Sequence, residues 1–402
     1  MPSTEGFDRS PLVSRRHLLM GGAAALGGAT VAGLTHSDAR ANEPADIGAA
    51  VEPCWGQHQS GVATRLQSHA AFVGFHLANT TSLTGLRRLM TVWTTDIERL
   101  TQGHPALADP TPELAAPPAG LTITVGVGPG LWRIKGLPQR PRWLEPLPEF
   151  SIDRLQKRWR QPDLLVQLGA DDPVTLAHAR QVMVADAAAF ATASWTQQGF
   201  HRAAGAVAAG TTGRNLMGYV DGTVNPTTGS SDFDRVVWLN DGPGWLNGGT
   251  GMVLRRIRMD LKLWSSIDRH SREQIMGRRM SDGAPLTGTA ETDTPDLVAT
   301  TTGGLLTIPE FAHVRIAHQA TPEERIYRRP YNYDDPHTDS DPDAGLLFVA
   351  YAADLHRQYL PIQERLADQD LLNRWTIPIG SAVLAVLPGF QPGELLGQTL
   401  LT

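Results

Sequence analysis

The sequence predicts an α+β fold built as two similar halves. Three observations carry this. The apolar run DLLVQLGADDP (Asp163 to Pro173) reads as a buried strand followed by a helical stretch, Val174 to Ala193, whose alanines and spaced apolar residues suit packing on a sheet. The run GLLFVAYAADL (Gly345 to Leu355) repeats that grammar and enters a second helical segment, His356 to Leu366. With 402 residues, 41% of them hydrophobic, the chain has enough apolar material for a large core.

Taken in order, residues 1–41 read as a targeting segment. SRRHLLM (Ser14 to Met20) precedes the Gly/Ala-rich apolar stretch Gly21 to Leu34, and Ala39-Arg40-Ala41 offers a small-x-small cleavage site. The pattern is a twin-arginine signal, for which the twin-arginine export machinery is the expected partner. Its apolar core is shorter than the ~20 residues needed to span a bilayer. Residues 42–55 read as a tether, 56–205 as the N-terminal half and 206–402 as the C-terminal half. Ser82 to Thr101 and Trp264 to Gly277 are candidate helices, and Thr122 to Gly126, Gly251 to Met259 and Ser381 to Leu387 candidate strands, with antiparallel pairing expected. Proline-rich Pro105 to Pro118 and acidic Asp334 to Asp343 read as loops; the aspartates of the second lack a calcium-loop register, so it reads as solvated.

Composition excludes several classes. A formal net charge of −6 without a long basic run disfavours nucleic acid and anionic membrane surfaces as main partners. Cys54 is the only cysteine, which rules out an intramolecular disulfide, a CxxC metal site and CxxCH haem attachment.

Three words frame candidate chemistry: GYVDGTVNP (Gly218 to Pro226) around Asp221, PEFAHVRI (Pro309 to Ile316) around His313, and RIYRRPYNYD (Arg325 to Asp334) around Arg328. Peroxide cleavage at a ferric haem needs an imidazole on one side of the iron, and on the other a proton-shuttling group and a cation. These three residues can supply them. Each also has a plainer reading: a core histidine on an apolar strand, an Asp-Gly turn, a surface arginine pair. Arg328 and Arg329 are adjacent, so in an extended segment they point to opposite faces and only one can reach a given site.

Those words closely resemble, in order, the signature segments of dye-decolorising peroxidases. The similarity extends upstream through GQHQSGVAT (Gly56 to Thr64), LTITVGVGPGLW (Leu121 to Trp132) and DLLVQLGADDP, and downstream through GRRMSDGAPL (Gly277 to Leu286), GLLFVAYAADL and LPGF (Leu387 to Phe390), roughly residues 50 to 395. The leader and layout look most like the exported, iron-linked branch, deferrochelatase-like. The resemblance implies two ferredoxin-like halves in a dimeric α/β barrel-type fold, and one non-covalent haem b held mainly by the second half. It implies His313 as the axial iron ligand, Asp221 as the acid-base group and Arg328 as the distal cation. The last rests on R-x-x-x-x-aromatic ending at Tyr333, with Arg329 the alternative that contacts a propionate or solvent. Asp221 and Arg328 then also face the haem. Pro330 departs from the small or polar residue that often follows the arginine pair.

Hydrogen peroxide and a bulky aromatic or dye-like electron donor are the implied substrates, with an acidic optimum expected if Asp221 shuttles the proton. Three alternatives remain open: an iron-acquisition role beside an iron-transport system, a haem carrier that keeps His313 without needing Asp221, and a non-haem structural α+β protein. A periplasmic, extracellular or cell-envelope location follows from the leader, and a homo-oligomer is compatible with the layout. Leu347, Val349 and Tyr351 share one face of their strand and either border the distal cavity or pack in the core. Ten Trp and six Tyr could carry oxidising equivalents, without singling out one.

Overall fold

The structure, a computed structural model, describes residues 47–208, 210–336 and 343–402. The leader (1–41), the start of the 42–55 segment and the middle of the acidic stretch lie outside the described residues.

The N-terminal elements are β1 (His69–Leu77), α1 (Leu83–Leu100), β2 (Thr122–Val127), β3 (Leu164–Ala170), α2 (Pro173–Ala187) and β4 (Ala191–Phe200). Helix α1 starts where the Ser82 hydroxyl accepts from Gly85 N, and it buries Leu86, Leu89, Met90, Trp93, Ile97 and Leu100, a 3.6-residue stripe. Helix α2 starts at Asp172, whose carboxylate accepts from Thr175 N at 2.7 Å, with Pro173 in the first turn. It ends at Ala187, short of the expected Ala193. The alanines would tolerate more helix, but residues 191–200 instead pair with β1, from His69↔Phe200 to Leu77↔Ala191, and that long ladder outweighs local propensity.

The C-terminal elements are α3 (Ser231–Val237), β5 (Thr250–Met259), α4 (Leu261–Ser265), α5 (Arg269–Met276), α6 (His313–Ile316), β6 (Tyr327–Arg328), β7 (Tyr331–Asp335), β8 (Asp343–Ala352), α7 (Leu355–Gln358), α8 (Leu360–Gln369) and β9 (Thr376–Val386). The single helix expected over 264–277 is two, because the Asp268 carboxylate accepts from Ser271 N and starts a new turn; the second ends at Gly277, at φ 82°. His356 to Leu366 is likewise split, between α7 and α8.

Among the described residues, nine strands form one antiparallel sheet in the order β5-β9-β2-β3-β1-β4-β7-β8-β6, and β8 also pairs with β5, which closes it into a barrel-like ring. Within the ring both sets use one order, β2-β3-β1-β4 and β7-β8-β5-β9. The seams between them are narrow: Gly126↔Val386 and Val127↔Ala385 on one side, Phe200↔Asn332 on the other.

Strand alternation sorts the core into layers. Ala71, Val73 and Phe75 of β1 and Leu164, Val166 and Leu168 of β3 face α1 and α2. Phe72, Leu165, Tyr331, Tyr333, Leu347, Val349, Tyr351 and Leu384 form a separate cluster on the other face. Both faces of β3 are therefore buried, which explains its continuous apolar run. Leu347, Val349 and Tyr351 belong to this second cluster with at most 1% exposure, and the Tyr351 hydroxyl donates to Gln167 Oε1; of the two readings, core packing holds.

The acidic stretch is not simply a solvated loop. Asp335 ends β7 and Asp343 begins β8, and both accept from the buried Arg256 guanidinium, which also stacks over the Tyr333 ring at 4.0 Å. Ahead of β1, the described part of the 42–55 segment lies against the fold: Gly48 and Ala50 carbonyls accept from Ala119 N and Gly120 N, and Cys54 is buried.

Candidate active site

The word around Asp221 folds as a tight hairpin. Arg214 bridges Val220, Asp221 N donates to Gly213 O at 2.9 Å, and Gly218 and Gly222 take φ values of 93° and 127° that side chains avoid. The hairpin is tied to β6 through Asn225, whose amide accepts from Arg328 N at 3.0 Å and donates to Arg328 O at 2.7 Å. That reciprocal pair sets the Arg328 backbone against the Asp221 turn. Arg328 Nη1 then donates to Asp221 Oδ1 at 2.7 Å, with the two side chains 22% and 13% exposed.

Arg329 points the other way. It is 2% exposed and donates to the carbonyls of Thr64 and Arg65 and to Gln67 Oε1, anchoring the loop before β1. It is therefore a structural cation of the interior, not the alternative distal or solvent-facing arginine. The one-residue offset between the two guanidinia follows from the extended backbone of β6, which pairs Tyr327↔Tyr351 and Arg328↔Ala350.

His313 lies on a helix, not on the apolar strand its neighbours suggest: it opens the short α6 after Ala312. Arg315 holds this turn by donating to the Ile308 and Pro309 carbonyls. His313 Nδ1 lies 2.6 Å from Asp370 Oδ2. Asp370 is 7% exposed, and its other oxygen accepts from Leu372 N, so a capping interaction aims the carboxylate. When the imidazole is neutral, donation of Nδ1–H to this carboxylate leaves Nε2 as the unprotonated nitrogen, suited to a metal, and Nε2 has no protein partner among the described residues.

Burial pushes the His313 imidazole down, but the Asp370 charge and hydrogen bond more than offset it, so its pKa is raised. Arg328 pushes it down and Asp221 up. The charges of the predicted pair thus reach the predicted imidazole, and the structure brings the three residues into one electrostatic neighbourhood. Although His313 lies within the fold, 29% of its side chain is accessible. An anchored, partly accessible imidazole whose second nitrogen has no partner among the described residues, and a carboxylate–guanidinium pair within its electrostatic reach, is a donor set that fits a haem.

Two residues escaped the sequence reading. Asn225 sits inside the word around Asp221, where an Asx side chain pinning a backbone is a usual role, so a signal was present. Asp370 lies 57 positions beyond His313, in a connection with no distinguishing pattern. Among the described residues no group of three or more His, Cys, Asp or Glu is arranged to hold a bare metal ion.

A closed α+β sheet carrying this constellation is the architecture of a haem-dependent oxidoreductase. Comparison with known proteins narrows it. The N-terminal and C-terminal profiles of the Dyp-type peroxidases match residues 59–201 and 212–391. A dye-decolorizing peroxidase from Thermobifida fusca is 41% identical over 77% of this chain and 74% of its own. A deferrochelatase from Escherichia coli is 31% identical over 96% of this chain and 97% of its own. The crystal structure of a DyP-type peroxidase from Cellulomonas bogoriensis superposes with a TM-score of 0.86 at 49% identity, covering 89% of this chain and 99% of that one. The chain belongs to the Dyp-type peroxidase family: it is a haem-dependent peroxidase, and its cofactor is haem b.

Proposed function

We propose that His313 would hold the haem iron through Nε2, and that Asp221 and Arg328 would act on the peroxide. The observation that carries this is the 2.7 Å Arg328–Asp221 pair within charge range of an imidazole whose other nitrogen is held by Asp370. When bound, haem supplies the iron at which peroxide is reduced and stores the two oxidising equivalents that donors discharge one at a time.

The remaining work belongs to the side chains. Asp370 keeps the His313 tautomer and, as a hydrogen-bond acceptor, makes Nε2 more electron-donating. Asp221 accepts a proton at its carboxylate from one peroxide oxygen and returns it to the other, so that the O–O bond breaks with water leaving. Arg328 stays charged throughout and holds negative charge that develops on oxygen; its bond to Asp221 Oδ1 also fixes the carboxylate's orientation. Asn225 is a positioning residue that keeps Arg328 in register with Asp221.

The twin-arginine pattern in residues 1–41 supports export, and hence a periplasmic or extracellular site of action. Bulky aromatic or dye-like molecules are the proposed donors, in keeping with the name of the Thermobifida fusca relative. A second reading, iron acquisition beside an iron-transport system, is favoured by one observation: deferrochelatases at 31% to 33% identity cover 96% to 98% of this chain, while the 41% relative covers 77%.

The test is a visible spectrum of the purified haem-loaded protein before and after one equivalent of hydrogen peroxide. A histidine-ligated ferric Soret band that shifts within the mixing time supports the assignment. A band that peroxide leaves unmoved moves the proposal toward haem handling.

A further inference from the structure

We propose that Met280 is a modification site, oxidised to the sulfoxide by excess hydrogen peroxide, and that the sulfoxide slows the enzyme's own peroxide reaction by displacing the hairpin that carries Asp221. The inference rests on the peroxidase reading above for its oxidant and for the role of Asp221.

Access singles out this residue. The chain has nine methionines, of which Met1 and Met20 fall in the leader. Met90, Met183, Met217, Met252, Met259 and Met276 are at most 8% exposed. Met280 is the partly exposed one among the described residues. It packs at the edge of the apolar cluster that contains Met217, Tyr219 and Met276, so its thioether sits beside the Asp221 word without being sealed under it. Oxidation of a thioether requires that peroxide reach the sulfur, and a buried methionine is shielded from it.

The geometry makes the added oxygen consequential. Met280 Cε fills the space beside Gly218: a Cβ on that glycine would stand 2.9 Å from it, closer than carbon atoms approach without contact strain. The Arg214 guanidinium clamps the two segments together, with Nη1 donating to Gly218 O and to Met280 O, both at 2.7 Å, and Nη2 donating to Ser281 O at 2.9 Å. Met280 N donates to Glu273 Oε1 at 3.0 Å, so the backbone of Met280 is held at both polar groups. Further along the same loop, Gly283 packs so closely on Val220 that a side chain there would collide with it. The hairpin itself is tied across, Asn215 N to Tyr219 O and Asp221 N to Gly213 O, both at 2.9 Å. A push at Gly218 is therefore carried to Asp221. Arg328 is held separately, by Asn225, so moving Asp221 strains the 2.7 Å Arg328–Asp221 bond.

The step balances with the enzyme's own substrate. A lone pair of the Met280 sulfur attacks one peroxide oxygen, an S–O bond forms as the O–O bond breaks, and the second oxygen takes up the proton of the first and leaves as water. Sulfur loses two electrons and peroxide gains two. The product is larger than a thioether, and its oxygen needs a hydrogen-bond donor. The Arg214 donors at this spot already serve three carbonyls, and the packed cluster offers apolar contact instead.

The test incubates the holoenzyme with a large excess of hydrogen peroxide and no electron donor. Peptide mass spectrometry should find Met280 one oxygen heavier before Met90 or Met183, and the stopped-flow rate with fresh peroxide should fall about tenfold in step with that mass change. Methionine sulfoxide reductase with a thiol should restore the rate, which it could not do for a destroyed haem. Met280→Leu, close in volume, should start at the native rate and keep it through the same treatment. The site is overturned if Met280 stays unoxidised while the buried methionines react. The brake is overturned if Met280 is oxidised with the rate unchanged, or if Met280→Leu slows as the native protein does. A native haem spectrum unmoved by one equivalent of peroxide would instead sink the peroxidase reading, while the mass map would still report on Met280.

Discussion

The two halves of the ring use the same strand order and do opposite things with it. Between β1 and β2 the chain makes one 18-residue helix, α1, whose apolar stripe covers the sheet. Between β5 and β7 it makes the short helices α4, α5 and α6 joined by irregular chain, and it is here that His313 and Arg328 lie. Their buried charges differ as well. In the C-terminal half, opposite charges meet: Arg328 with Asp221, His313 with Asp370, Arg256 with Asp343. The N-terminal half has opposite-charge pairs too, His178 with Asp109 and Arg133 with Asp163, but there two carboxylates also meet, Asp96 of α1 and Asp186 of α2, where burial and the Asp96 charge push Asp186 up to about 7. A regular half covered by one long helix is a support; an irregular half whose loops and short helices gather His313, Asp221 and Arg328 is where the proposed site lies.

This contrast can be broken from either side. The largest effect is expected at His313→Ala: the purified protein should lose its Soret band, with its far-ultraviolet circular dichroism retained because the ring does not depend on that side chain. Next, Asp221→Asn should slow the stopped-flow reaction with peroxide by about 10²–10⁴-fold, and Arg328→Leu by about 10²–10³-fold, with haem still bound. A slowing below tenfold in both would remove them from the peroxide chemistry. On the supporting side, Trp93→Ala, at a site with 0% exposure and an indole donating to Met183 O, should cost about 3–5 kcal/mol of stability by denaturant melts. If peroxide reactivity at temperatures well below the melt fell as steeply as in Asp221→Asn, the division between support and site would fail.

The smallest effect sharpens the charge comparison. Because the Asp186 pKa is raised above its ordinary value near 3.8, the folded state binds a proton that the unfolded chain releases. Its contribution to stability is therefore full below about pH 4 and is lost as pH rises towards about 7. Asp186→Asn keeps a donor for Asp96 without the charge. Its melting temperature at pH 8 should exceed that of the native protein by the equivalent of about 1 kcal/mol after solvent screening, a gain that disappears at pH 4. A pH-independent difference would mean the pair does not share a proton.

The sequence by itself determined the α+β class, the strands within Asp163 to Pro173, Gly251 to Met259 and Gly345 to Leu355, helix α1 to within a residue at each end, and the three words that frame the proposed site. These are legible because they rest on local rules: burial on both faces makes a continuous apolar strand, a 3.6-residue stripe makes a helix, and a glycine-framed acid makes a turn. Only the tertiary structure decided that residues 191–200 leave the helix to pair with β1, that Arg329 is buried against the Thr64 to Gln67 segment, and that Asp370 is the partner of His313. Each of those depends on what lies across the ring from a residue, not beside it in the chain. Pairing, burial and charge at a distance act through space, and local periodicity carries no record of them.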